Sequence, residues 1–78
     1  MALTRLAPGG CGRVCQMRPV DAEIERLMTM GVCEGRKVML VRRGDPLILR
    51  VLGTRIGVSA RLADRIRVVP CSDDEPVL

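Results

Sequence analysis

Four cysteines, Cys11, Cys15, Cys33 and Cys71, are the side chains in this sequence best suited to chemistry. One of them lies in "LMTMGVCEG" (residues 27–35), beside Met28 and Met30, a cluster of soft sulfur of the kind that binds metals. A four-thiolate zinc site is normally built from paired C-x₂₋₄-C knuckles, and only Cys11 and Cys15 approach that spacing. A disulfide between those two is a poor fit, because along one strand they would stand about 13 Å apart. Disulfides need Cα atoms within ~7 Å. The spacing is irregular and no export signal precedes it, so reduced thiols packing as small hydrophobes are the simpler reading. A structural metal is the competing one.

Acid–base catalysis finds little support. The chain has no histidine, and its acidic residues are scattered over turns and exposed faces. "PGGCG" lacks the Lys-Ser/Thr of a phosphate-binding loop. No residue is assigned a catalytic, cofactor-binding or metal-binding role, no cofactor is expected, and the chain is read as a non-enzyme.

Charge is more informative. The net charge of +4 conceals an acidic end, Asp73, Asp74 and Glu75; residues 1–71 hold thirteen basic and six acidic groups, a balance of +7. Twelve of the thirteen basic residues are arginine. Such a body favours an acidic protein surface, a phosphate or a nucleic acid. The absence of Phe, Tyr and Trp weakens the last, since single-strand binders stack bases on aromatic rings. Arg42, Arg43 and Arg50 flank a hairpin and are candidates for steering an acidic partner, although a solvated basic face explains them equally well. Ile48 and Leu52 are read as outward-facing beside them, and exposed aliphatics next to arginine mark an interface. A slipped register that buries them, or cover by the tail, is the alternative.

The elements that must carry these residues are short. In 78 residues, eight glycines and five prolines imply many turns and favour a small β-rich domain. Residues 3–10 read as an edge segment ending in a Pro-Gly-Gly turn. Residues 13–17 read as a strand with Cys15 and Met17 alternating against Val14 and Gln16. Residues 19–31 predict a helix of about three turns, capped by Asp21 and stopped by Gly31, with Val20, Ile24, Leu27 and Met28 on its apolar face. Gly35 suits position i+2 of a type II turn. Strands follow at 36–43, 47–52 and 53–59, with Leu47, Leu49 and Val51 inward and Ile48, Arg50 and Leu52 outward; "RRGDP" forms the hairpin between the first two. Ser59 caps a single turn at 60–64. Residues 65–69 form the closing strand, ended by Pro70. Residues 1–70 make one domain and 71–78 an acidic tail, expected to be disordered. The whole predicts a mainly β fold: a small, closed or nearly closed antiparallel barrel of about five strands, with one inserted helix and a short helical turn before the last strand. No run approaches the roughly 20 apolar residues of a membrane span, and no signal peptide is evident, so the chain reads as cytoplasmic.

In order, "LTRLAPGGCGRV", "ERLMTMGVCEGRKVMLVRRGDPLILRV" and "RIGVSARLADRIRVV" resemble the bacterial ferrous iron transport protein A (FeoA) family. The likeness covers about residues 3–69. It rests on Leu3, Leu6, Pro8 and Gly9; on Arg26, Leu27, Met30, Gly31 and Gly35; on Gly44, Asp45 and Pro46; and on Ile56, Val58, Ala63, Ile66 and Val68. Two features depart from the family pattern. Glu34 replaces the usual Pro before Gly35, and the family's Ala-Pro-Leu-Gly-Asp-Pro hairpin is about three residues shorter here. The resemblance implies an SH3-like barrel, cytoplasmic and without catalysis. It also implies a partner, the cytoplasmic GTP-binding region of the membrane ferrous iron transporter (FeoB). The alternatives are a metal-sensing or repressor-associated domain of the same fold, acting alone or as a homo-oligomer, and a small basic nucleic-acid-binding barrel.

Overall fold

The computed structural model describes residues 1–71. The expected acidic tail lies outside the described residues. Five strands form one antiparallel sheet: β1 (Cys11–Met17), β2 (Lys37–Arg42), β3 (Leu47–Val51), β4 (Thr54–Val58) and β5 (Ile66–Cys71). Helix α1 (Ala22–Thr29) links β1 to β2, and the single turn α2 (Ala60–Ala63) links β4 to β5. The strand order is β4-β3-β2-β1-β5, so the last strand pairs with the first while β2, β3 and β4 form a meander. The two outer strands, β4 and β5, share no ladder among the described residues, so the expected closure is not made by backbone pairing there.

Local chemistry accounts for the helix and its ends. Asp21 adopts an extended backbone and accepts a 3.0 Å hydrogen bond from the Ile24 amide, an N-cap in the expected place. At the other end Gly31 (φ +103°) closes a Schellman motif. Its amide donates to Met28 O at 3.1 Å, and the Val32 amide reaches Leu27 O at 3.0 Å. Leu27 and Val32 are both buried, which is the apolar contact that accompanies this stop. The helix is shorter than expected, eight residues, and Val20 precedes its cap at 58% exposure instead of joining the apolar face.

Strand β1 does not alternate as its sequence suggests. Its register with β5 shifts between Val14 and Gln16, a bulge at Cys15 that turns both Val14 and Met17 into the core and leaves Cys15 exposed. A second irregularity, between Leu40 and Arg42, bends β2. Strand β3 follows the expected pattern, with Leu47, Leu49 and Val51 buried. Leu52, expected to end that strand, instead begins a two-residue turn to β4: Leu52 (φ 51°) and Gly53 (φ 78°) both lie in the left-handed region, as a type I′ hairpin requires. Pro70 does not end β5, which runs on to Cys71; an outer strand tolerates the missing amide. Residues 3–10 do not form an edge segment either. Leu3–Arg5 is a short 3-10 turn, while Ala2 bridges to Arg67 on β5.

The core is aliphatic throughout and contains no buried polar or charged residue among the described ones. Leu3 and Leu6 pack into it with Val14, Val38, Leu40 and Val68. Gly12 makes that packing possible: a Cβ there would stand 2.9 Å from Val68 Cβ and 3.3 Å from Leu6 Cδ1. Polar ties hold the rim. Arg43 donates from Nε and Nη2 to Leu6 O at 3.1 and 3.0 Å, and Asp45 Oδ1 accepts from the Ala60 amide at 3.0 Å. Both cap short helical segments with residues from the β2–β3 hairpin.

Candidate docking face

Because side chains alternate along a strand, the residues left between the core positions of β1, β2 and β3 share the opposite face. Arg13 lies opposite Lys37, Cys11 opposite Met39, and Met39 opposite Arg50. Arg13, Lys37, Met39 and Arg50, together with Arg36 and Leu52, surround a groove of about 290 Å³. Four cations ring it, and among the described residues no carboxylate lines it. The Arg13 guanidinium is oriented by a 2.9 Å hydrogen bond from Nη1 to Gly35 O. Arg36 Nε is buried and has no hydrogen-bond partner among the described residues.

Several carboxylates are engaged elsewhere. Asp21 pairs with Arg65 at 2.9 Å, Glu23 with Arg61 at 3.9 Å, Asp45 caps α2, and Asp64 accepts from Thr4 Oγ1 at 3.1 Å. The Ile24 amide, with help from Arg65 and against a smaller desolvation cost, holds the Asp21 carboxyl below its ordinary range.

Leu52 is the unusual member of this face. It is 64% exposed and is the one residue other than glycine with positive φ among the described residues. That conformation costs an L-residue with a bulky side chain about 1–2 kcal/mol. Part of the side chain lies over Gly31, where an added Cβ would come within 2.8 Å of Leu52 Cδ1. Exposed aliphatic surface retained at a strained backbone position is characteristic of a contact site.

The FeoA domain family model matches residues 1–70. The chain belongs to the FeoA family. Three solved structures agree in fold. An iron uptake regulatory protein (FeoA) is 25% identical, with a TM-score of 0.83 over 91% of this chain and 96% of that one. The FeoA protein of Chlorobium tepidum is 28% identical, with a TM-score of 0.86 over 96% and 74%. Stenotrophomonas maltophilia FeoA, solved with zinc, is 29% identical, with a TM-score of 0.76 over 88% and 89%. That protein is described as a prokaryotic SH3 domain protein suggested to act as a bacterial ferrous iron transport activating factor. No curated protein sequence matches. The fold is therefore SH3-like and mainly β, as the FeoA resemblance implied.

Of the five residues singled out for partner contact, the structure brings Arg50 and Leu52 into the groove. Arg42 and Ile48 lie opposite each other on β2 and β3, Arg42 exposed and Ile48 half-buried beside Gly57. Arg43 is tied back to the 3-10 turn by the hydrogen bonds described above. Sequence reasoning passed over Arg13, Arg36, Lys37 and Met39. Lys37 and Met39 were legible by alternation with Val38 and Leu40, whereas Arg13 needed the β1–β2 register. The cysteines do not assemble a four-thiolate site. Cys11 and Cys71 lie opposite each other, Cys15 occupies the bulge and Cys33 the turn before β2, and no group of three potential ligands forms among the described residues.

Proposed function

We propose that this FeoA-family chain is a non-catalytic cytoplasmic interaction module of ferrous iron transport. It docks the outer face of β1–β3 on an acidic surface of the cytoplasmic GTP-binding region of the ferrous iron transporter (FeoB), and modulates Fe(II) uptake by contact. The observation that carries this reading is the groove itself, four cations around exposed Leu52 and half-buried Met39, with no carboxylate in its lining among the described residues. Its make-up suits a partner that presents carboxylates around an apolar contact: charge guides the encounter and the leucine supplies the anchor. Arg42 and Ile48 extend the same face along the β2–β3 hairpin, and Arg43 fixes the hairpin's base. No helix of the described residues is long and apolar enough to cross a membrane, so association with the transport system would come through this surface contact.

The test is binding of the purified chain to the transporter's soluble GTP-binding region by calorimetry. Arg50→Glu combined with Leu52→Asp is expected to weaken binding by at least about a hundredfold. Its melting temperature should not fall below the parent's, because both sites are exposed and Asp accepts the left-handed backbone that strains Leu52. Unchanged affinity would remove this face from the interface. Salt-sensitive binding to DNA or RNA in place of the transporter domain would favour the nucleic-acid reading.

A further inference from the structure

Cys11 and Cys71 are 60 residues apart in the chain and directly opposite each other in the β1–β5 ladder. Their Sγ atoms are 3.1 Å apart, and the Cys11 thiol donates to the Cys71 carbonyl at 2.6 Å. Directly opposed residues of an antiparallel pair have Cα atoms about 4.5–5.5 Å apart. This lies within the roughly 4.4–6.8 Å range that a disulfide spans. Closing the sulfurs to a bond of ~2.05 Å brings them about 1 Å nearer, a shift that side-chain rotation can supply. The two sulfurs also differ in access. Cys11 is 5% exposed, whereas Cys71 is half-buried at the end of an outer strand.

We propose that this pair is an oxidation site, a dithiol that a hydroperoxide converts reversibly into an intramolecular Cys11–Cys71 disulfide. The Cys71 sulfur, being more accessible, attacks one peroxide oxygen. An S–O bond forms, the O–O bond breaks, and the departing hydroxide leaves as water with the thiol proton, giving Cys71 sulfenic acid. The Cys11 sulfur then attacks the Cys71 sulfur. The S–S bond forms, the S–O bond breaks, and hydroxide leaves with the Cys11 proton as a second water. One hydrogen peroxide takes two electrons and two protons from the pair and becomes two waters. Two molecules of glutathione reverse the step and leave as glutathione disulfide. Cys15, exposed on the bulge, and Cys33, in the turn before β2, have no place in it.

The experiment treats the reduced full chain with one equivalent of hydrogen peroxide and maps linkages by mass spectrometry after alkylation. The expected product is a monomer lighter by two hydrogens, with peptides joined through Cys11 and Cys71. Its melting temperature should rise on the order of 10 °C, because the bridge closes most of the chain into one loop. The Cys15→Ser/Cys33→Ser double variant should behave identically, Cys11→Ser should give neither product nor shift, and glutathione should restore the starting state. Linkage through Cys15 or Cys33, a disulfide dimer, Cys71 sulfinic acid without a bridge, or a bridge that glutathione leaves intact would each overturn the proposal.

Discussion

Leu52 occupies a backbone position that its own side chain disfavours. Asn-Gly and Asp-Gly are the usual occupants of a two-residue type I′ turn, because both central residues need positive φ. Leu52→Asn should therefore raise the melting temperature by on the order of 5 °C, from relief of about 1 kcal/mol of backbone strain. The same change removes the exposed aliphatic from the groove, and should weaken binding to the transporter's GTP-binding region about tenfold. Opposite signs for stability and affinity would mark Leu52 as a contact residue. A fall in melting temperature would instead mean that its packing over Gly31 holds the turn. Strand alternation was enough to point Ile48, Arg50 and Leu52 outward. Alternation alone is blind to φ, so the turn that strains Leu52 was not legible, nor was the back-bonding of Arg43, which depends on where the distant Leu6 carbonyl comes to lie.

Elements were legible where their signals were local. Asp21, Gly31, Gly35 and Ser59 act within four residues of themselves, and each does what its type predicts: two caps, a helix stop and a turn. The Asp21 cap also carries a pH signature. Its carboxyl is held below the ordinary value of 3.8, chiefly by the Ile24 amide. A group depressed in the folded state stabilises fully above its unfolded pKa, and loses that contribution as pH falls through its folded pKa. Melting temperature should thus decline on acidification below about pH 4. Asp21→Asn, which can cap without titrating, should show a shallower decline over the same range. Equal slopes would mean that other carboxylates dominate. What local signals missed were the two long-range adjustments. Nothing in "RVCQM" announces that Cys15 is an extra residue, because a bulge is defined by its partner strand. Nothing near Pro70 announces that β5 lies at the side of the sheet, where a missing amide is harmless.

Across the described residues, four of the six carboxylates are engaged in caps, ion pairs or hydrogen bonds, and the β1–β3 face is a cationic surface, which net charge alone could not locate. The sheet that carries this face pairs its first and last strands. That ladder has a kinetic counterpart. The β2–β3–β4 meander pairs neighbours through short turns, whereas β1 and β5 must close a loop of nearly the whole chain before gaining any contact. The meander should be native-like in the folding transition state and the β1–β5 seam largely unformed. Leu49→Ala should chiefly slow refolding and Val68→Ala chiefly speed unfolding, as read from the two limbs of a denaturant chevron. The reverse pattern would place nucleation at the seam. Such an order has a cost during synthesis: until β5 has emerged, the outer edge of β1 is a bare row of amides and carbonyls open to a neighbouring nascent chain. For so small a protein, that interval is when misassembly is nearest.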